Sequence, residues 1–526
     1  MTKALMIQGT SSNAGKSLFV TALCRIYMKR GYKVAPFKSQ NMSLNSYTTS
    51  ENGEIGIAQY IQALAAKKEA TVDMNPILLK PKGDFKSQVI IHGKAVGDMD
   101  FYYYQHKYHD TAVKAIHESY DKLAAENDII FIEGAGSPSE INMRKEDIAN
   151  MEVAHMADAN VILVADIDRG GVFAAIAGTF VLLDDRDLAR MKAVIINKFS
   201  GNIDILKPGI DKIEKIINVP ILGVVPYDKT LKIPEEDSQS LREHNFVESE
   251  KDINIAVIKL PKIANFTDID PFEAEPDVGL KMIELTDSPT LLDDVDAIII
   301  PGTRSSTGDA KELMDSGFAS KIIELSDKIP VIGICGGYQI LGNEITDEHM
   351  KESNLKNVKC LGLLNTKTEF THTIKAACQT KAIIPDNDYL CGLAKVLFKD
   401  LENTEITGYE QHEGTTKLIN PSIDTTFPLF IVKEGVGNDY DSPFDGATGQ
   451  GLCFGTYMHG IFHNYSVRKN FLNYLRKKKG IKLDDGSKDP YEDIIDNAIE
   501  QLAKLIEDNV DMDYIDKLIF GENQIT

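Results

Sequence analysis

The chain has 526 residues, 43% of them hydrophobic and 26% charged, with a formal net charge of -22. That balance suits a soluble enzyme with a sizeable core, and the acidity argues against a nucleic-acid-binding surface. At about 150 residues per domain, the length predicts two to four domains.

No apolar run approaches the roughly 20 residues of a membrane helix. The opening Met1-Thr2-Lys3-Ala4-Leu5-Met6-Ile7 is not a signal-peptide pattern, which needs a longer apolar region and a cleavage site. The six cysteines, at 24, 335, 360, 378, 391 and 453, are scattered without a C-x-x-C pair, which points to a reducing, cytoplasmic compartment.

In chain order, residues 3–8 read as a strand that runs into Gly9-Thr10-Ser11-Ser12-Asn13-Ala14-Gly15-Lys16-Ser17, with helical spacing from Leu18 onward. A strand, a Gly-rich loop and a helix start make a polyphosphate cradle, because backbone N–H groups and the helix dipole face the anion. Lys16 is expected on the β/γ-phosphates and the Ser17 hydroxyl on Mg²⁺. The glycine spacing is one residue longer than G-x-x-x-x-G-K-[ST]. Ile129-Ile130-Phe131-Ile132-Glu133 is a buried strand ending in a carboxylate. Strand ends in such sheets face the ligand crevice, so Glu133 is expected to bind Mg²⁺ directly or through water. Strands at 161–166, 193–198 and 221–226, alternating with helices, imply a parallel sheet covered on both faces. A polar, charged stretch at about 229–250 reads as a linker or covering segment.

The longer loop resembles that of dethiobiotin synthetase and its relatives, which use ATP to turn a carboxylate into an acyl phosphate. The resemblance implies a second cation near the phosphates, Lys38 in Phe37-Lys38-Ser39-Gln40-Asn41. It also implies a further Mg²⁺ ligand, Glu54, at the start of a helix expected over 53–66. In related nucleotide folds an Asn-Lys at this place borders the base, which makes Asn197 the expected adenine contact.

Ile253-Asn254-Ile255-Ala256-Val257-Ile258 opens a second sheet, and Asp296-Ala297-Ile298-Ile299-Ile300 ends in Pro301-Gly302. The run Val331-Ile332-Gly333-Ile334 then stops at Cys335-Gly336-Gly337, and a helix is expected from Tyr338. A nucleophile on such a strand-to-helix turn is pushed out of the sheet, beside backbone N–H groups that can bind an oxyanion. His459 follows a later apolar run, in Gly455-Thr456-Tyr457-Met458-His459-Gly460-Ile461-Phe462. Strand ends on one edge of a parallel sheet converge, which brings Gly302, Cys335 and His459 together. A thiol beside an imidazole is activated as a thiolate and can attack the γ-amide of glutamine. Cys360, Cys378, Cys391 and Cys453 show no ligand spacing and read as structural, and His372, His412 and His463 carry no assigned role. The stretch 481–526 has helical spacing, with Ile494, Ile495, Ala498, Ile499, Leu502 and Leu505 on one stripe, and its sequence does not say which domain it covers.

This second half resembles the class I glutamine amidotransferases, whose C-x-G-x-Q turn matches Cys335-Gly336-Gly337-Tyr338-Gln339. The resemblance implies Gly302 and Gly336 as oxyanion donors and Gln339 as a glutamine contact, and it extends to Gly408-Tyr409-Glu410-Gln411-His412. One departure is that Ile461 stands where many members carry the Glu of H-x-E, so a Cys–His dyad with an unassigned orienting group is expected. Gln40-Asn41-Met42-Ser43-Leu44-Asn45-Ser46, Met74-Asn75-Pro76-Ile77-Leu78-Leu79-Lys80-Pro81, Ser87-Gln88-Val89-Ile90 and Asp166-Ile167-Asp168-Arg169-Gly170-Gly171-Val172-Phe173 resemble the cobyric acid synthase family. Its members use ATP and glutamine to amidate the b, d, e and g carboxylates of adenosylcobyrinic acid a,c-diamide. The implied partners are a corrinoid substrate, L-glutamine and ATP with Mg²⁺; the cobyrinic acid a,c-diamide synthases are the alternative. The expected fold is α/β with two doubly wound domains: a P-loop parallel sheet of the dethiobiotin-synthetase type at 1–235 and a flavodoxin-like class I glutamine amidotransferase domain at 251–480. A helical extension is expected at 481–526.

Overall fold

The computed structural model describes residues 2–82, 86–228, 230, 231, 233, 251–371, 375–419 and 426–521. Most of the stretch expected as a linker at 229–250, and His372, lie outside the described residues.

The first sheet has six strands in the order Ile221–Pro226, Met191–Phe199, Asn160–Asp166, Lys3–Gly9, Ile129–Glu133, Val34–Phe37, and every neighbouring pair is parallel. Leu5, Met6, Ile7, the run Ile129 to Ile132 and the run Val161 to Ala165 are fully buried. Strands apolar on both faces need covering on both sides, which is the condition for a parallel sheet. The carboxyl ends Gly9, Phe37, Glu133 and Asp166 therefore share one edge.

The second sheet also has six strands, in the order Val278–Glu284, Ile253–Lys259, Ala297–Ile300, Val331–Ile334, Cys453–Thr456, Ala447–Thr448. All neighbours are parallel except the last pair. Three adjacent strands thus deliver Gly302, Cys335 and His459 to one edge. The α/β class, with one sheet wholly parallel and one parallel except at its last pair, agrees with the sequence reading.

Smaller sheets surround this frame. Gln40–Met42, Ile77–Pro81, Lys86–Ile91 and Lys94–Asp100 form a four-stranded sheet, and Ser46–Thr48 pairs with Glu54–Gly56. The helix expected over 53–66 is shorter, Ile57–Ala65. Gly56 ends the hairpin where a Cβ would lie 2.3 Å from the Asn41 amide nitrogen, so a side chain is excluded just before the helix. In the second half, Glu405–His412 belongs to a four-stranded sheet with Ala376–Ile383, Phe430–Glu434 and Phe444–Asp445, which carries Gln411 toward the thiol.

The tail forms helices Pro490–Asn509 and Met512–Phe520, which return to the first domain. Ile499, Leu502, Ile506, Ile515 and Ile519 join the core of Leu5, Phe19 and Leu23. Buried Arg25 ties the first helix to the tail through Asp496 at 2.7 Å and Glu500 at 2.6 Å. No helix among the described residues is long and apolar enough to cross a membrane. The junction is tight: a Cβ on Gly223 would lie 2.0 Å from the backbone oxygen of Asn509. Gly223→Ala is expected to destabilise the chain by about 1–3 kcal/mol, as overpacking against backbone does. A lowered Tm with earlier proteolytic loss of the tail is the measurement that checks this.

Candidate active site

The phosphate loop is shaped by left-handed residues, Asn13 at φ 60° and Gly15 at φ 109°. Lys16 folds over it, its Nζ donating to the carbonyls of Ser11 at 2.9 Å and Gly136 at 3.0 Å. The Ser17 hydroxyl donates to Glu133 Oε1 at 2.9 Å, and Lys38 Nζ donates to the same oxygen at 2.7 Å. Gln62 Nε2 donates to Glu133 Oε2 at 2.6 Å. The fold thus brings together Lys16, Ser17, Lys38 and Glu133, four residues that the sequence singled out, and adds Gln62. Burial alone would raise the Glu133 pKa, but Lys38 and the bonds from Lys38 and Gln62 hold it below the usual carboxylate range. An ionised carboxylate beside a hydroxyl is an oxygen donor set that fits Mg²⁺, which takes few protein ligands and completes its shell with water and phosphate.

Two further expected site residues have their side chains engaged elsewhere in this structure. Asn197 Nδ2 donates to the Ala14 carbonyl at 2.9 Å, and a Cβ on Gly15 would lie 2.2 Å from that nitrogen. Asn197 therefore braces the loop from behind. Glu54, expected as a metal ligand, is 1% exposed and ion-paired with Lys80 at 2.5 Å and with Lys375 of the second domain. Burial raises its pKa, but Lys375 and Lys80 outweigh that and leave it at about 2. Its oxygens serve two ammonium groups at the seam between domains.

In the second domain Cys335 has φ 52° and ψ −109°, a strained conformation at the end of its strand. Its N–H donates to the Thr456 carbonyl at 2.8 Å, and its thiol donates to the Gln411 carbonyl at 3.6 Å. A Cβ on Gly337 would lie 1.9 Å from the Ile300 oxygen, so the turn closes only with glycine there.

His459 is fully buried, with Nδ1 2.7 Å from Asp268 Oδ2. The Gly460 N–H donates to Asp268 Oδ1 at 2.5 Å. Asp268 is thus the orienting group that Ile461 could not supply. It sits in the 3₁₀ segment Phe266–Ala274, 191 residues from His459, and no local spacing announces it. Burial works against the His459 imidazolium, but Asp268 and Cys335 outweigh it and raise the pKa to about 10. Nε2 is buried without a hydrogen-bond partner among the described residues. Cys335, His459 and Gly302 share one small cavity, whose other walls include Gln411, Arg304 and Lys80. A Cβ on Gly302 would lie 3.0 Å from His459 Cε1, so glycine lets the imidazole approach. Gly336 opens the helix Gly336–Leu341 next to the thiol.

Gln339 stands apart from that wall: its Nε2 donates to the Tyr457 hydroxyl at 3.0 Å. His412 stacks on Tyr457 with centroids 3.8 Å apart and lies 3.2 Å from Glu410.

Comparison with known proteins accounts for both halves. Residues 5–241 match the CobQ/CobB/MinD/ParA nucleotide binding domain, and residues 254–467 match the CobB/CobQ-like glutamine amidotransferase domain. The chain is 52% identical over 526 residues to the probable cobyric acid synthase of Methanothermobacter thermautotrophicus, covering 99% of each chain. It is 44% identical over 517 residues to the probable cobyric acid synthase of Methanocaldococcus jannaschii, covering 97% of this chain and 99% of that one. It is 42% identical over 527 residues to the cobyric acid synthase of Streptococcus sanguinis, covering 100% of both. With both domains in the same order and full-length identity at this level, the chain is a glutamine-dependent ligase and belongs to the cobyric acid synthase family.

Proposed function

We propose that the chain uses ATP and glutamine to amidate the b, d, e and g side-chain carboxylates of adenosylcobyrinic acid a,c-diamide, giving adenosylcobyric acid through acyl phosphates. The observation that carries the nitrogen-supplying half is the His459 imidazole, held at Nδ1 by Asp268 and sharing a cavity with the Cys335 thiol.

His459 Nε2 takes the thiol proton, and the raised imidazole pKa favours the thiolate–imidazolium pair. The Cys335 sulfur attacks the γ-carbonyl carbon of glutamine, with the Gly302 and Gly336 N–H groups receiving the oxyanion. The C–N bond breaks as His459 returns the proton to the leaving nitrogen, and ammonia departs from a thioester. Water then adds, with His459 as base, and glutamate leaves. Gln339, on the helix that follows the thiol, is the residue assigned to contact the bound glutamine.

In the first domain the backbone of residues 9–17 cradles the polyphosphate, and Lys16 and Lys38 offset its negative charge. Ser17 and Glu133 are the residues that would hold Mg²⁺, whose charge would stabilise the transferring phosphoryl group. The phosphorylated corrinoid carboxylate is then attacked by ammonia, giving amide and phosphate.

Three outcomes test this reading. Cys335→Ala is expected to abolish glutamine-dependent amidation and to retain amidation supported by ammonium salt; loss of both in a folded variant overturns it. Glu133→Gln is expected to raise the Mg²⁺ concentration needed for half-maximal ammonia-supported amidation by tenfold or more, read by Mg²⁺ titration. Asp268→Asn is expected to lower kcat for glutamate release by roughly 10²–10⁴, the scale seen when a catalytic His loses its carboxylate. The imidazolium persists up to its pKa of about 10 while Asp268 is ionised. Removing that charge lowers the pKa, so the alkaline limb of the kcat/KM profile moves to lower pH.

A further inference from the structure

The cavity around Cys335 is not closed by its own domain. Lys80, on the strand Ile77–Pro81 of the nucleotide-binding half, forms part of its wall. Its ammonium is 2.5 Å from Glu54 and donates to Ser46 Oγ at 2.6 Å and to Gln411 Oε1 at 2.9 Å. Gln411 Oε1 also accepts from Ser46 Oγ at 2.7 Å and from Asn265 Nδ2 at 3.0 Å, while its Nε2 donates to Thr48 Oγ1 at 2.9 Å. The Gln411 backbone carbonyl is the acceptor of the Cys335 thiol. One residue beside the nucleophile is therefore clamped by Ser46, Thr48 and Lys80, all from the other domain.

The opposite end of this clamp reaches the phosphate loop. Glu54 stands three residues before the helix Ile57–Ala65, whose Gln59 and Gln62 donate to Glu133 Oε2 at 3.4 and 2.6 Å. Glu133 in turn accepts from Ser17 and Lys38. Between Ser17 and Cys335 the links are hydrogen bonds, an ion pair and the short chain segment from Glu54 into the helix Ile57–Ala65. The pair at the middle is costly to bury: Lys80 and Glu54 are each 1% exposed, and burial presses the Lys80 ammonium down to about 7 despite Glu54. Ion pairs in such places contribute little net stability and are best attested where they fix a particular arrangement.

We propose that Glu54 and Lys80 are positioning residues for glutamine cleavage: supplied by the nucleotide-binding domain, they set the Gln411 wall of the thiol cavity and tie it, through the helix Ile57–Ala65, to the phosphate loop. This rests on the reading of Cys335 as the glutamine-cleaving nucleophile. The two glutamines on the helix give a nucleotide on Ser17 and Glu133 a physical route to the thiol, one that the ATP–Mg²⁺ response of glutamate release tests.

The test uses the full chain as Lys80→Met, Glu54→Gln and the double variant. Glutamate release is measured across glutamine concentrations with and without ATP–Mg²⁺, and amidation is measured with ammonium salt. Each single variant is expected to lose at least tenfold in kcat/KM for glutamate release, with ammonia-supported amidation within about threefold of the natural chain. The double variant should be no worse than Lys80→Met, because the residues act as one unit. In the natural chain ATP–Mg²⁺ should change the rate of glutamate release, and in Glu54→Gln that response should be absent, a readout that a purely structural role does not move. Glutamate release within twofold of natural in folded Glu54→Gln overturns the proposal. So does parallel loss of ammonia-supported amidation, which returns Glu54 to the metal site, or a natural chain indifferent to ATP–Mg²⁺. Should Lys80→Met fail to fold, the isosteric Glu54→Gln decides alone. Failure of the underlying reading looks different: the natural chain would release no glutamate, or Cys335→Ala would continue to do so.

Discussion

The site depends on a cysteine kept at φ 52° and ψ −109° between a buried strand and a helix. A β-carbon-bearing residue does not hold that conformation unless its surroundings over-determine it. Here the surroundings are close backbone contacts. The Cys335 N–H is tied to Thr456, the neighbouring strand ends lie alongside, and Gly337 packs where a Cβ would meet the Ile300 oxygen at 1.9 Å. The thiol is aimed by the sheet, and everything chemical about it follows from which groups the same sheet edge brings alongside.

The most consequential of those groups is His459, and its behaviour is set by a carboxylate from far away in the chain. Asp268 fixes the imidazole by accepting from Nδ1 and from the Gly460 N–H. It leaves Nε2 facing a cavity without a protein partner among the described residues, and it raises the imidazole pKa to about 10 against the opposing effect of burial. A dyad read from the sequence thus becomes a Cys–His–Asp arrangement, in which the third member occupies a different strand-connecting segment from the one where H-x-E would have put it.

The two halves of the enzyme meet through polar side chains. Glu54, Lys80, Lys375, Gln411, Ser46, Thr48 and Asn265 are packed between a phosphate loop and a thiol, with hydrogen bonds or ion pairs joining them across the seam. Such a network is worth little if half-satisfied and rigid when complete. It gives the hairpin at residues 46–56 a place in the structure that its sequence alone does not announce. The tail then fastens the first domain from behind through Arg25 and an apolar stripe led by Ile499 and Leu502.

What the sequence determined was local. Buried apolar runs ending in Gly9, Glu133, Gly302 and Cys335 specify strands, and parallel strands deliver their ends to one edge whatever lies between them. Lys16, Ser17, Lys38, Glu133, Cys335 and His459 were singled out at or beside such strand ends, while the family resemblance rested on other short segments such as 40–46 and 74–81. What only the tertiary structure decided was non-local. The tail docks on the first domain, Asn197 braces the loop, Glu54 turns to the seam and Asp268 orients His459. Each of these depends on pairs tens to hundreds of residues apart, whose meeting is set by hairpins and packing angles that no spacing in the chain encodes. A buried charge shows in a sequence only as an acid or a base; which partner neutralises it is known once the chain has folded around it.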